Sequence, residues 1–460
     1  MAPAGCRLAA GVDQGHGSRH HLRGAPAEGS NPLDRPRWRR KGREHHRVSR
    51  HDLLTQSSAE VLSYRALLAV PSFRRFLGAT LLVRTAAAIW QLGLVLFVLQ
   101  KFHSPALAGL TIFFSIAPGI LISPLAGVLL DRHGRIRLML LDYTIAGLTL
   151  VLIVWLSATG HLSAGLLIPI VAVSSLTNPL GSVGSRSMFP LIVPRPLWDR
   201  ANALDSIGYT GPAIVGPALA GALTAARGAE LALLVSAVMF VAAAAVLIGV
   251  AEPQTDPDVS ERVFPAALGA LRYVLRNRSL RGIAAAISVA NLGQAALTVG
   301  LPVLVFDRLH GGPALVGQLW AAQGAAGVVG SLLVGKLNTE GKERQILAWT
   351  MVGGAVGLGI LAMAGSWWVV LAAMVLLGAF LGPSDVAMFS MRQRRTHEAW
   401  FGRAFAVSMN LNYAGLPVGS AISGQLVQRP LVLAFIVGAG LTLFSAWLTL
   451  ALIPAEHREA

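Results

Sequence analysis

Runs of about 20 apolar residues recur from Phe76 to Ile453, each long enough at about 1.5 Å per helical residue to cross a hydrocarbon core of roughly 30 Å. In lipid every backbone polar group needs an internal partner, which leaves helices or a closed barrel. A barrel would show alternating segments of about 10 residues rather than continuous apolar runs. Hydrophobic residues make up 54% of the chain and charged ones only 13%. A soluble domain of this length needs more charged surface than that. The chain therefore reads as an all-α polytopic membrane protein.

Twelve spans are expected, at about 76–99, 105–130, 137–157, 164–189, 203–226, 230–250, 282–306, 313–336, 345–364, 367–390, 404–427 and 431–453. The longest internal polar stretch, 252–281, divides them six and six and reads as a linker. Within it Phe264, Leu268, Leu271 and Leu275 are spaced for one face of a short amphipathic helix. The expected organisation is a tail (1–70), a six-helix bundle (71–251), the linker, a second bundle (282–454) and a short end (455–460). The tail is rich in Arg, His, Gly and Pro and reads as disordered, and a start set upstream of the natural one would look the same. It lacks the apolar core of a signal peptide.

The formal net charge of +16 would suggest nucleic acid in a soluble protein. Here the bases flank apolar spans, so no nucleic-acid partner is expected. Loops after even-numbered spans hold most of them, including Arg132, Arg135 and Arg137, Arg195 and Arg200, and Arg392, Arg394 and Arg395. Loops after odd-numbered spans hold little beyond Lys101, Arg227, Arg308 and Arg429. By the positive-inside rule both termini should be cytoplasmic, in a cell membrane. The single cysteine, Cys6, offers no disulfide or thiolate metal site, and neither metal nor cofactor is expected. "GSLLVGKL" (330–337) imitates a nucleotide loop, but Leu337 stands where the Mg²⁺-binding hydroxyl belongs, so ATP is not the expected energy source and no enzyme activity is foreseen.

An internal repeat supports the halving. "RANALDSIGYTGPAIVGPALAGAL" from Arg200 and "RAFAVSMNLNYAGLPVGSAISGQL" from Arg403 align without gaps, pairing Gly216 with Gly419 and Gly221 with Gly424. Likewise Gly109 pairs with Gly317 and Gly127 with Gly335. Two pseudo-symmetric halves place a pathway at their interface near the bilayer midplane.

"GVLLDRHGRIR" (127–137) resembles the loop between helices two and three of the major facilitator superfamily, with Gly127, Asp131, Arg132, Gly134, Arg135 and Arg137 on the signature. The resemblance covers about 390 residues in span number, linker position and loop motif. "SRSMFPLIVPRPLWDRANAL" looks like the branch of bacterial siderophore and macrolide exporters. Exporters of this family carry a fifth-helix Gly-Pro motif, whose core fits Gly216, Pro217 and Gly221, with Ala220 where a second glycine is usual and Gly211-Pro212 as an added break. The resemblance implies a monomeric secondary transporter that moves a small molecule outward by rocking its halves. Its loop would be a latch, Asp131 facing the N-terminal end of the eleventh helix near Gly402 and Arg403. Read without the family, the small residues permit close packing and each proline bends a helix. The glycines are then gating parts or plain packing.

A charge at the bilayer centre costs about 2.5–3.5 kcal/mol on insertion scales, so those that remain carry information. Arg84, with Gln91 two turns on, either faces a cavity or reaches back to the interface. Asp142, Asp205 and Asp385 are candidates for carrying a coupling proton, Asp385 beside the helix-breaking Gly382-Pro383. For Asp142 and Asp205 the plainer alternative is pairing with Arg186 or Arg137. Asn291, Gln294, Gln318, Gln323, Asn410, Asn412 and Tyr413 supply hydrogen-bonding groups that either join helices or line a cavity. The expectation is a proton-coupled exporter of a small amphipathic molecule, with an importer on the same fold or a non-transporting sensor as alternatives.

Overall fold

The computed structural model describes residues 63–252, 263–337, 339–397 and 400–455. The expected tails at 1–62 and 456–460, and linker residues 253–262, lie outside them. Among the described residues there is no strand, and the helices form twelve rods. Nine single rods are Pro71–Phe102, Pro105–His133, Arg135–Ala158, Trp198–Arg227, Ala229–Leu247, Pro313–Gly335, Glu343–Met363, Trp367–Arg394 and Leu431–Leu452, which are spans one to three, five, six, eight to ten, and twelve. Residues 64–69, inside the expected tail, form a further helical turn that buries Leu67.

Spans four, seven and eleven are each broken, where the apolar pattern predicts continuous helices. The fourth is Ala164–Ser175 and Asn178–Ile192, the seventh Arg278–Gln294 and Ala296–Val303, and the eleventh Phe401–Tyr413 and Gly415–Val427. Two breaks have a proline as their cause. Pro179 and Pro417 lack the amides that would bond the carbonyls of Ser175 and Tyr413, each four residues back. The seventh span ends in a π-helical turn, Leu304–Arg308, just after Pro302. Conversely, Pro212, Pro217 and Pro383, expected to bend or break spans five and ten, lie inside unbroken helices.

Nine spans of the described residues are apolar and long enough to cross a membrane by composition. Spans five, eight and eleven fall outside that set, and they are members of the pairs that meet across the halves. Span two packs on span eleven, and span five on span eight. Glycine is what lets them approach. A Cβ on Gly221 would lie 2.9 Å from the Cα of Gly317, and one on Gly424 would lie 3.0 Å from the Cα of Gly109. These positions are the ones the repeat exchanges, so each contact is the pseudo-symmetric image of the other.

Both contacts lie toward the end of the bundle away from the arginine-rich loops. At the opposite, basic end, Gly134 turns the chain between spans two and three with a φ of 87°, a left-handed conformation that favours glycine.

Candidate functional site

A cavity of about 720 Å³ opens between the halves. Spans four and five supply Arg186, Phe189, Asp205 and Tyr209 to one wall, and spans ten and eleven supply Asp385, Phe389, Met409 and Tyr413 to the other. Val193, just past the end of span four, and Trp198, the first residue of span five, extend it to the basic end.

Arg84 reaches this wall from span one. Its Nη2 pairs with Asp205 Oδ1 at 2.6 Å, its Nη1 donates to the Asp205 carbonyl at 3.1 Å, and its guanidinium lies 3.5 Å from the centroid of the Tyr209 ring. Asp205, Gly208 and Tyr209 fall on one helical face by their spacing. Gly208 is there for room, because a Cβ on it would lie 2.9 Å from Arg84 Nη1. Sequence reasoning finds Arg84 and Asp205 but misses Gly208 and Tyr209. The i, i+3, i+4 spacing is the signal that could have found them.

Arg186 does not pair with Asp205, as the plainer reading would have it. Its Nε donates to Tyr209 Oη at 3.2 Å, and the residue is exposed in the cavity. Asp142 likewise meets neither Arg186 nor Arg137. It is 5% exposed on span three and sits against Thr177 and Gly181 at the break in span four, where a Cβ on Gly181 would collide with its Oδ2. Gln91 is exposed and lies outside the cavity lining.

Arg392, counted from sequence among the loop bases, is inside span ten and 0% exposed. With the Asn412 amide turned so that both its atoms are satisfied, Asn412 Oδ1 accepts from Arg392 Nη2 at 2.6 Å. Arg392 Nη1 lies 2.9 Å from Met409 Sδ, and the rings of Phe389 and Phe405 flank the guanidinium at 5.8 and 5.1 Å. Asn291 Nδ2 donates to the Asn412 carbonyl at 2.9 Å, fixing span seven to span eleven. Asn412 thus stands behind the cavity wall rather than in it.

In the loop motif the charged groups pair with near neighbours. Asp131, with a side chain 58% exposed, takes Arg135 of its own loop, four residues on, as its ion-pair partner at 2.5 Å. Glu252, just past the end of span six, accepts from the Arg135 and Ile136 amides at 2.8 and 3.1 Å. A carboxylate on those free amides offsets the positive end of span three. Arg132 and Arg137 are exposed. Gly127, expected in close packing, has nothing within 4 Å of a Cβ built on it, and neither has its repeat partner Gly335. In the fifth-helix motif Gly216 packs on Ala88 of span one and Gly221 on Gly317, whereas Gly211 faces open space.

Beyond the end of span ten, burial lowers the Arg395 guanidinium from its ordinary value. Its Nη1 is held by Ser279 Oγ at 3.2 Å and the Pro454 carbonyl at 2.9 Å. Among the described residues no group of three or more His, Cys, Asp or Glu comes together that could hold a metal ion.

The arrangement has relatives among known proteins. Residues 62–460 match the family described as transmembrane secretion effector. An uncharacterised MFS-type transporter of Sinorhizobium fredii is 36% identical over 398 residues, covering 85% of this chain and 98% of the relative. The enterobactin exporter of Escherichia coli is 24% identical over 374 residues, covering 80% of this chain and 85% of the exporter. A crystal structure of a nucleoside transporter superposes with a TM-score of 0.69 at 11% identity, covering 83% of this chain and 99% of that one. A bacterial homologue of the iron transporter ferroportin in its inward-facing state gives 0.64 at 19% identity, covering 84% and 98%. With its twelve rods, its cross-half glycine contacts and these matches, the chain belongs to the major facilitator superfamily, in the family of transmembrane secretion effectors.

Proposed function

We propose that the protein exports a small amphipathic molecule across the cell membrane, driven by protons moving the other way, as its two halves rock about the cavity. The observation that carries this is the cavity itself, with aromatic and charged side chains from both halves and with the glycine contacts closing the far end. Aromatic and apolar walls with a few convergent polar groups suit an amphipathic ligand. Taking the basic end as cytoplasmic, both termini lie inside and the cavity faces the cytoplasm, ready to load.

Gly127 and Gly335 support the rocking. They lie on the spans that carry Gly109 and Gly317 but near the basic end, and they are open where the other two are closed. Closure of the basic end would use them as the far end uses Gly109 and Gly317, with Asp131 then reaching span eleven. Each ligand or proton that prefers one arrangement shifts the balance toward it. Asp385, open to the cavity, is the proton carrier in this reading, and the Arg84–Asp205 ion pair belongs to the opposite wall. Relatedness to an enterobactin exporter favours the outward direction.

Inside-out vesicles containing the full chain test the reading. With the vesicle lumen made acidic, a panel of fluorescent amphipathic dyes should accumulate in them, and the accumulation should be lost with the Asp385→Asn variant. Accumulation only under the opposite gradient would make the protein an importer, and gradient-independent behaviour for every dye would overturn transport coupling.

A further inference from the structure

The helix before span seven, Val263–Arg276, turns much of its apolar stripe away from the bundle. Of the apolar stripe, Leu271 is half-buried while Leu268 and Leu275 are exposed, and the Phe264 side chain lies outside the described residues. The bundle contact is made instead by Ala270 and Val274, 1% and 0% exposed, and by Tyr273, whose ring stacks on Trp400 with centroids 5.1 Å apart. Leu268 and Leu275 point away from the bundle, 57% and 47% exposed. Arg272 lies between them on that face by its i+4 and i−3 spacing, with Arg276 alongside. Both arginines are exposed, and neither makes a hydrogen bond or ion pair among the described residues.

The helix sits at the basic end, one residue before span seven begins at Arg278, and it touches span eleven of one half and span two of the other. It therefore lies at the level where hydrocarbon gives way to headgroups. We propose that its outer face docks on the anionic phospholipid of the membrane leaflet at the basic end, with Leu268 and Leu275 entering the acyl boundary and Arg272 and Arg276 meeting headgroup phosphates. Leucines flanked by arginines on one helical face are the physical requirement for such interfacial binding. A second copy of the chain fits this face poorly, since a two-fold contact would set the same arginines against each other. The inference does not depend on the direction of transport.

Hydrogen exchange on the full-length protein in neutral detergent tests it, with short-chain phosphatidylglycerol or phosphatidylcholine added. Phosphatidylglycerol should slow exchange across 263–276, weakening with salt, while phosphatidylcholine and free glycerol phosphate should not. Replacing both arginines with glutamine should weaken the phosphatidylglycerol effect about 25-fold, about fivefold for each arginine near an anionic surface. The Arg272→Lys, Arg276→Lys double variant should retain the effect, and unchanged exchange in span twelve would show that each variant folds. Equal protection by the two lipids, protection by glycerol phosphate alone, insensitivity to the glutamine changes, or protection that rises with protein concentration without lipid would each overturn the proposal.

Discussion

Arg84 and Asp205 are joined twice, by a 2.6 Å ion pair and by a 3.1 Å bond from the guanidinium to the Asp205 carbonyl. The second half has a neutral version of the same tie, Asn291 donating to the Asn412 carbonyl, and both pairs are 121 residues apart in sequence. Each half thus fastens its first helix to its fifth, but only one does so with charge. The side chains of Arg84 and Asp205 are 11% and 22% exposed, so the pair is largely desolvated.

Removing one member should therefore leave the other buried without its partner, which costs about 3–5 kcal/mol at full burial and less where some water reaches the pair. Asp205→Asn and Arg84→Gln should each lower the melting temperature in detergent, and the double variant should cost less than the two together. A double-mutant cycle should return a coupling of about 1–3 kcal/mol. Additive single effects would mean that the two side chains are not energetically joined.

Gly208 controls that pair through space alone. Gly208→Ala puts a methyl group 2.9 Å from Arg84 Nη1 and should push the guanidinium off Asp205, reducing transport about tenfold, the effect of roughly 1.4 kcal/mol. Gly211→Ala, three residues on and facing open space, is the control and should transport normally. If both variants behave alike, the close approach at Gly208 is not what positions Arg84.

Much of this arrangement is legible in the amino-acid sequence. The approximate positions of the spans follow from apolar runs, because lipid leaves every backbone polar group to be satisfied within a helix, whereas the breaks in spans four, seven and eleven do not. The glycine contacts are half legible: the repeat pairs Gly109 with Gly317 and Gly221 with Gly424, but which of them touch depends on how the halves are set together. Partner choice is harder. Asp205 and Arg186 are both polar residues near the basic end, and only the rotation of spans one, four and five gives Asp205 to Arg84 and leaves Arg186 to Tyr209. Arg392 misleads because a charge near a helix end counts equally as a loop base or a buried group; its neighbours Arg394 and Arg395 follow within three residues.

The glycines of spans two and eight make a conformational prediction. Gly127→Val leaves the observed arrangement intact, since a Cβ there meets nothing within 4 Å, so melting temperature should be unchanged while transport is lost. Gly317→Val should do the reverse to this arrangement, forcing spans five and eight apart where a Cβ would lie 3.0 Å from the Gly221 Cα. Cysteine-labelling of single-cysteine reporters at each end, built on a Cys6→Ser background, should show the first variant held open at the basic end and the second opened at the far end. Identical labelling of both variants would refute alternating use of the two glycine sets.

Arg392 offers the clearest separation of function from stability. Its side chain is fully buried, its Nε has no hydrogen-bond partner, and Asp385, the carboxylate whose charge acts on it, lies beyond ion-pair distance. A buried charge held by an amide, a thioether and two aromatic rings is a poor way to stabilise a helix bundle, and replacing buried ionic groups with apolar ones of similar volume is often neutral or stabilising by about 1–4 kcal/mol. Arg392→Met should accordingly keep or raise the melting temperature, with Asn412 free to bond Ser408 alone. If the guanidinium serves transport through the cavity wall formed by Phe389 and Met409, gradient-driven dye movement should fall at least tenfold in the same variant, and Arg392→Lys should restore only part of it, since an ammonium cannot reproduce the planar fork. A variant that melts several degrees lower and transports in proportion to its folded fraction would make Arg392 a structural residue after all.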